Sequence, residues 1–297
     1  MNRTVPRDTT TRRDKTQTRW IDLHLHSTAS DGGYPPSRLV EMAHARGLSA
    51  VALTDHDTVA GCEEAAARAA QLGVEFIPGI ELEAAHPRGA LHILGYFVDT
   101  ACTALADLSA AAVQRRAERN REILERLRVL GVNLPQDVIE PDVPRHAIGR
   151  PHIAHALVRA GHVRDFRTAF NDYLADGAPA FVPFMLPAAE AVIAAIRSAG
   201  GLASLAHPVR LRYGSSLELR TLVKRLRDAG LAAIETIHPS HLPVQTREYH
   251  RLAEELGLAA TGGSDFHRLP PKQEHGVGFG RVRVPYDLLE SLRRART

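Results

Sequence analysis

The sequence predicts an α/β fold in which about seven βα units close into a barrel that carries an inserted, mainly helical segment. Strand-like and helix-like segments alternate along most of the 297 residues, as in parallel sheets whose strands are separated by helices. Seven apolar runs end in a histidine or a carboxylate. A closed barrel gathers residues from all its strand ends around one axis, whereas an open doubly wound sheet offers a crevice to only a few. The polar strand ends therefore favour the barrel.

The segments before the insertion follow this alternation. Strand-like runs cover residues 21–26, 50–57, 75–83 and 90–99. The first predicted helix runs from Pro35 to Arg46, and an Ala-rich second helix runs through Leu72. Prolines start the first helix, and Gly47 and Gly73 follow the two helix ends. These are residue types that commonly begin and stop helices.

The same alternation resumes after Pro187 and continues to the last predicted strand. Helices are predicted to end at Ser198, Ala229 and Leu256, and the strands that follow them at His207, His238 and Asp265. Between residues 103 and 184 the strand pattern is missing, and helices are predicted over residues 104–130, 149–159 and 168–174. An insertion after a barrel strand belongs to the loop layer above the active site. We therefore expect three parts, namely a flexible leader (1–19), a barrel (20–102 and 185–297) and an inserted helical cap (103–184).

Composition excludes several classes of protein. A formal charge of +3 and a pI near 9.1 are only mildly basic, so bulk charge does not predict binding to long nucleic acid. The two cysteines, Cys62 and Cys102, form neither a zinc-type pair nor a disulfide framework. No apolar run is long enough for a membrane helix, and the polar N-terminus lacks the apolar core of a secretory signal. We expect a cytoplasmic protein without a membrane partner.

The sixteen histidines are the compositional anomaly. His24 and His26 are two residues apart on a predicted strand and so face the same side, where they can chelate one metal. The alternative is a pair of edge histidines without a special partner. Asp31 follows in a Gly-rich turn, where a capping role is the alternative. His56 lies between Asp55 and Asp57, and carboxylates beside a ligand histidine often fix its tautomer as hydrogen-bond partners. The alternative is an N-cap for the next helix, supplied by Asp57 or Thr58.

Further donors follow along the chain. Glu81 ends an apolar run and can bridge two metals through its two oxygens, with His92 on the neighbouring strand. His207 precedes a proline, and Asp265 and His267 are two apart on the last strand. The complete set of candidate ligands is His24, His26, Asp31, His56, Glu81, His92, His207, Asp265 and His267. These nitrogen and oxygen donors exceed the need of one metal, roughly match three sites, and indicate Mn, Zn or Fe.

The motifs resemble a known family. HxH, TDHD, a strand-terminal Glu, AHP and GSDFH, in this order, are similar to those of the PHP (polymerase and histidinol phosphatase) phosphoesterases, and the match covers nearly all of residues 20–284. The resemblance implies a distorted (β/α)7 barrel with a trinuclear metal centre that holds three Mn2+, with Zn2+ or Fe2+ as alternatives. It assigns one metal to His24, His26, Glu81 and Asp265, a second to Glu81, His92 and His207, and a third to Asp31, His56 and His267.

The insertion narrows the resemblance to one bacterial branch of this family. Segments at 149–152, 172–183 and 206–212 look like the branch that includes nucleoside 3′,5′-bisphosphate phosphatase, also described as RNase AM. This branch implies hydrolysis of the 3′-phosphate of small nucleotides such as pAp by a metal-bridging hydroxide. The alternatives are 5′-to-3′ trimming of short RNA, hydrolysis of histidinol phosphate, and a non-catalytic metal-binding regulatory module. The modest basicity favours short substrates over long ones.

Four further residues are candidates for substrate contacts. Arg150, Arg210 and Arg212 are predicted phosphate clamps, because guanidinium groups match phosphate geometry; surface salt bridges are the alternative. His241 is expected to contact substrate or protonate the leaving oxygen, which would place it with Glu81 and Asp265 among the catalytic residues. A basic residue often stands at the position of Ala178 in this branch, so substrate contacts on that segment are in doubt. The oligomeric state is not predicted.

Overall fold

A computed structural model of the protein describes residues 18–134, 148–268 and 282–296. The strands are β1 (Trp20–Asp22), β2 (Leu48–Leu53), β3 (Glu75–Ala84), β4 (Leu91–Tyr96), β5 (Leu202–Leu205), β6 (Leu231–Ile237), β7 (Ala259–Gly262) and β8 (Val284–Pro285). The helices are α1 (Pro36–Ala45), α2 (Cys62–Leu72), α3 (Thr103–Val129), α4 (Arg150–Arg159), α5 (Phe166–Ala169), α6 (Ala189–Ser198), α7 (Ser216–Asp228), α8 (Pro243–Leu256) and α9 (Tyr286–Arg294). A π-helical turn, Phe170–Leu174, continues α5. The predicted leader lies almost wholly outside the described residues.

The eight strands form one sheet in the order β7-β6-β5-β4-β3-β2-β1-β8. The chain beyond β1 meets the chain beyond β7, where the Leu23 N–H donates to the Gly262 carbonyl at 3.2 Å and the His26 N–H donates to the Phe266 carbonyl at 3.0 Å. These bonds close strands β1 to β7 into a barrel, while the two-residue β8 pairs antiparallel with β1. The predicted α/β barrel is confirmed.

Strand β4 runs against the direction of its neighbours. It pairs antiparallel with both β3 and β5, so the predicted pattern of parallel strands separated by helices does not extend to this strand. Only residues 85–90 connect β3 to β4, and a crossover between parallel strands needs a dozen residues or more. As a consequence the start of β4, with His92, reaches the same rim as the ends of the parallel strands.

The inserted segment is mainly helical, as predicted, and has its own apolar cluster. Buried side chains of α3, α4, the π-helical turn and the following loop pack together, among them Ile123, Leu127, Ile153, Leu157, Leu174 and Val182. The boundaries of the cap at 103 and 184 remain a prediction. None of the described helices is both long and apolar enough to cross a membrane, and the cytoplasmic location also remains a prediction.

Candidate active site

All nine predicted ligands lie at one rim of the barrel. His24, His26 and Asp31 follow β1, His56 follows β2, Glu81 and His92 lie within β3 and β4, His207 follows β5, and Asp265 and His267 follow β7. Most of them stand just beyond a strand because β1 and β7 end earlier than predicted. Asp265 and His207 adopt positive φ angles of 52° and 23°. Such backbone is sparsely populated by residues other than glycine and clusters at functional sites.

Glu81 is the centre of the cluster and is fully buried. Its Oε1 lies 2.8 Å from His92 Nδ1 and 3.0 Å from His207 Nε2. Its Oε2 lies 3.2 Å from the Nε2 atoms of both His24 and His26. Burial opposes the ionisation of Glu81, but the surrounding imidazoles hold its pKa well below the usual range. His56 Nδ1 also lies 3.3 Å from Oε2. One carboxylate thus contacts histidines that belong to or follow four different strands.

Asp265 completes a four-residue group with Glu81, His24 and His26. Its Oδ1 lies 3.4 Å from His24 Nε2 and 3.2 Å from His26 Nε2. One donor atom from each of these four side chains lies within 4.8 Å of the others. This group coincides with the first ligand set that the family resemblance assigns.

A second group joins Asp31, His56 and His267 with His26. Asp31 Oδ1 lies 3.3 Å from His267 Nε2, and Asp31 Oδ2 lies 4.0 Å from His56 Nε2. The structure brings together the third assigned set and adds His26 to it. Burial lowers the pKa of His56 to about 3, so this ring is neutral at pH 7, which is the form that ligates metals.

The third group differs in membership from the assigned second set. The donors that cluster within 4.8 Å are His56, Glu81 and His92, whereas the assignment has His207 in place of His56. His207 nevertheless contacts Glu81, and burial lowers its pKa to about 4. The ligand assignments themselves therefore remain predictions, although the nine side chains are brought together.

The donor set fits metal ions. His26 is fully buried, and neither of its ring nitrogens makes a hydrogen bond of acceptable geometry with a described residue, which is also true of His207 Nδ1. Buried polar atoms normally have hydrogen-bond partners. The His26 ring lies beside the carboxylates of Glu81 and Asp265 without forming a hydrogen bond with them, an arrangement that suits a metal ion bound between these groups. Nitrogen and oxygen donors without a thiolate suit Mn, Zn or Fe.

Two buried residues of this cluster were not among the predicted site residues. Glu235, fully buried in β6, lies 3.1 Å from His24 Nδ1 through Oε1 and accepts the His207 N–H at 2.7 Å through Oε2. His238, which follows β6, lies 3.4 Å from Asp265 Oδ2 through Nε2. The signal in the sequence was Glu235 itself, because a glutamate buried within a mainly apolar strand is unfavourable unless it has polar partners.

The predicted roles of the two aspartates beside His56 are wrong. Asp55 accepts hydrogen bonds from the Ser27 N–H at 2.6 Å and from Ser30 Oγ at 2.6 Å, so it fixes the loop after β1 instead. Asp57 forms an ion pair with Arg116 of α3. Helix α2 begins after Gly61 and has no side-chain cap. Both aspartates thus bind residues that are distant in the sequence instead of contacting His56 or capping α2.

The predicted substrate residues occupy different positions. Arg210 reaches the cluster, with Nη2 2.7 Å from Asp265 Oδ2. Arg150 lies in the cap, where Nη1 donates to the Leu174 carbonyl at 3.3 Å. Arg212 is exposed and has no ion pair within the described ranges. Ala178, which is half-buried, adds no charge to the segment before Pro179.

His241 is buried beside the cluster and has a defined tautomer. Its Nδ1 lies 3.0 Å from the Thr236 carbonyl, and a carbonyl only accepts, so Nδ1 carries the hydrogen. Nε2 is then an acceptor; it is buried and has no hydrogen-bond partner among the described residues. Burial lowers the pKa of His241. Its ring lies 5.2 Å from that of His238, which in turn contacts Asp265.

Known proteins are similar to this chain over most of its length. A family model described as the PHP domain matches residues 22–131. The chain is 38% identical over 253 residues to a 3′,5′-nucleoside bisphosphate phosphatase of Chromobacterium violaceum, covering 83% of this chain and 87% of that protein. It is 34% identical over 250 residues to a 5′-3′ exoribonuclease of Haemophilus influenzae, covering 84% and 90%.

A solved structure agrees as well. A protein of Bifidobacterium adolescentis assigned as a metal-dependent phosphoesterase superposes with a TM-score of 0.79 at 31% identity, covering 93% of this chain and 96% of that one. The full-length similarity extends over both the barrel and the insertion, and the family model begins at β1. The chain therefore belongs to the PHP-domain family of phosphoesterases, as its motifs predict.

Proposed function

We propose that this protein hydrolyses the 3′-phosphate of small nucleotides, with nucleoside 3′,5′-bisphosphates such as pAp as the preferred class. The observation that supports this most is the convergence of nine metal-type donors around the buried Glu81. The 38% identity to a 3′,5′-nucleoside bisphosphate phosphatase over most of both chains supports the choice of substrate.

The nine side chains would hold three divalent ions, with manganese as our first choice and zinc or iron as alternatives. Divalent cations at such a site lower the pKa of water and neutralise the charge of phosphate oxygens. Glu81, with one oxygen towards His92 and the other towards His26, would hold adjacent ions together. Asp265, which follows β7 at the same rim, would add a carboxylate to the ion held by His24 and His26.

Two other side chains would act on the substrate directly. Arg210, half-exposed and anchored on Asp265, would hold the phosphate that is hydrolysed, since a guanidinium group presents paired donors to it. His241 presents an unprotonated Nε2, so it would contact the substrate by accepting from a hydroxyl. The predicted role of protonating the leaving oxygen would require Nε2 to take up a proton first. Arg212, which is exposed, would contribute only a long-range electrostatic attraction for the negatively charged substrate.

The test is the release of inorganic phosphate from pAp by protein supplied with manganese. We expect turnover that a chelator abolishes and manganese restores, and Glu81→Gln should lose it by 100-fold or more. Glu63→Gln, which removes an exposed carboxylate of α2, is the matched control and should keep wild-type turnover. The proposal is wrong if pAp yields no phosphate while another phosphoester, such as histidinol phosphate, is hydrolysed.

A second activity is supported by the 34% identity to a 5′-3′ exoribonuclease. The same centre would then remove nucleotides from the 5′ end of short RNA. A gel of 3′-labelled oligonucleotides of increasing length separates the two activities, because an exonuclease produces a ladder whereas a monoesterase leaves the length unchanged. A protein that binds manganese but acts on none of these substrates would be a regulatory module instead.

A further inference from the structure

Three aromatic rings lie in contact on the surface of the cap. The Phe166 ring, at the start of α5, lies 4.9 Å from the His155 ring of α4 and 4.9 Å from the Phe170 ring. Phe166 is 40% exposed, and His155 is exposed as well. No other Phe, Tyr or Trp in the described part of the chain is exposed. Aromatic surface is therefore concentrated at this place.

Local geometry keeps the rings together. Phe166 and Phe170 are four residues apart, so they lie on the same side of their helical segment. Asp165 caps this segment by accepting the Thr168 N–H at 2.8 Å. Phe170 opens the π-helical turn, in which the Ala175 N–H donates to the Phe170 carbonyl at 2.7 Å. Such turns are uncommon and frequently occur at functional sites.

Arginines border the rings. Arg159 follows His155 by four residues, which places both on one face of α4, and Arg167 is next to Phe166 in the chain. Both arginines are exposed, and Arg167 forms no ion pair with a described residue. The described residues between 103 and 184 include ten arginines and seven acidic residues, so the cap is net positive and attracts anions.

Arg150 connects the rings to the active site. Its guanidinium group lies 5.9 Å from the centre of the Phe170 ring. Arg150 and Glu83 line the same hollow, and Glu83 is two residues from Glu81 on β3. A chain of nucleotides whose 5′ end is held at the ligand cluster can therefore extend across Phe170 and Phe166.

We propose that these three rings bind the downstream bases of a short single-stranded RNA whose 5′ end lies at the ligand cluster. Bases of any sequence stack on exposed rings, because each base has a π face, and neighbouring arginines attract the backbone phosphates. The combination of rings and arginines favours RNA over a lipid surface, which needs no rings. The proposal rests on the second activity proposed above and adds the surface that holds the RNA while it is shortened.

The first test measures binding without turnover. A 3′-fluorescein pentanucleotide with phosphorothioate linkages, which resist hydrolysis, is titrated with manganese-loaded protein, and fluorescence anisotropy gives the Kd. We expect Phe166→Leu, which keeps an apolar side chain but removes the ring, to raise the Kd at least fivefold, the lower end of the effect of losing a stacking ring. Phe166→Trp should bind as tightly as wild type. Leu217→Ala, at an exposed apolar residue of α7, is the control and should leave the Kd unchanged.

The second test compares turnover of an unmodified pentanucleotide with turnover of pAp, which has no downstream nucleotide. We expect the ratio of their kcat/KM values to fall at least fivefold in Phe166→Leu and in His155→Leu. Equal losses on both substrates would mean that the rings only stabilise the cap, and would overturn the proposal.

The binding measurement separates this proposal from the proposed function. If wild-type protein hydrolyses neither substrate, the proposed function fails, while the anisotropy experiment still decides whether the rings bind RNA. Equal affinity of wild type and Phe166→Leu for the pentanucleotide would refute the proposal. Sedimentation with phosphatidylglycerol vesicles that Phe166→Leu abolishes, together with equal affinity for RNA, would assign the rings to a membrane surface instead.

Discussion

At the scale of single residues, the carboxylate of Glu235 connects two of the candidate ligands. It receives the His207 N–H, which can only donate, and it faces His24 Nδ1. Because a carboxylate only accepts, Nδ1 of His24 carries a hydrogen towards Glu235. The Nε2 atom faces the carboxylates of Glu81 and Asp265 at 3.2 and 3.4 Å, so it is the nitrogen that a metal ion between these groups would use. Partners of this kind fix the tautomer of metal-binding histidines.

Glu235→Gln should weaken metal binding without removing a ligand. The amide oxygen must take the His207 N–H, so the NH2 group faces His24 and forces the hydrogen onto Nε2. We expect 10- to 100-fold weaker affinity for one metal ion, in line with the loss of such partners elsewhere, measured by elemental analysis and calorimetry. Glu254→Gln, on the exposed face of α8, is the control. Unchanged metal content would contradict the role of Glu235.

Cys62 illustrates a residue with a structural role. Its thiol is buried and lies 3.7 Å from the Gly79 carbonyl, and burial raises its pKa to about 11. At pH 8 only about one thiol in a thousand is then ionised. We expect the native Cys102→Ser variant to resist modification by a thiol reagent at pH 8 and to react fully once denatured. Rapid reaction of the native variant would show that Cys62 is accessible.

At the scale of elements, His24 is positioned by the seam of the barrel, where the chain after β1 is hydrogen-bonded to the end of β7 and the residues that follow it. Gly263 follows β7, and a Cβ atom at this position would overlap the Cβ and backbone nitrogen of His24. The absence of a side chain at residue 263 therefore allows the two chain segments to approach and the barrel to close.

Gly263→Ala should disturb this seam. Overpacking of a tight site costs about 1–3 kcal/mol, and we expect a lower midpoint of chemical denaturation together with reduced metal affinity. At Gly214, an added Cβ would contact only the ends of the Glu218 and Arg88 side chains, so Gly214→Ala should change neither quantity. A Gly263→Ala protein with wild-type stability would show that the seam can relax.

At the scale of the whole molecule, the carboxylates of Glu81, Asp265 and Glu235 are buried close together in the ligand cluster at one rim of the barrel. Their mutual repulsion opposes folding unless cations balance it, and a ligand that binds only the folded state stabilises it. Metal binding should therefore affect the stability of the entire barrel as well as activity.

Removal of metal by a chelator should lower the melting temperature, and added manganese should restore it. At a free concentration 100 times the Kd, binding adds about 2.7 kcal/mol of stability. The measurement is thermal unfolding of chelated protein across a manganese titration. Glu81→Gln, which contacts the most donors, should show a much smaller shift. If wild type and variant shift equally, the stabilising site lies elsewhere.

Much of the fold followed from local patterns. Helices α1 and α3 lie within one residue of their predicted bounds, and α2, α7 and α8 end within one residue of their predicted ends, because their glycine, proline and apolar positions specify helix ends and faces. The direction of β4 did not follow, since it depends on the short connection 85–90 and on pairing with β5. Strand β8 and helix α9 were not predicted.

The sequence alone determined the types of donor, their order and the kind of fold that could gather them, because residue chemistry and periodicity are local properties. Only the tertiary structure decided which atoms meet. It placed Glu235 against His24 and gave Asp55 and Asp57 partners other than His56. These contacts join residues that are far apart in the chain, and only the closure of the barrel against its cap brings them within bonding distance.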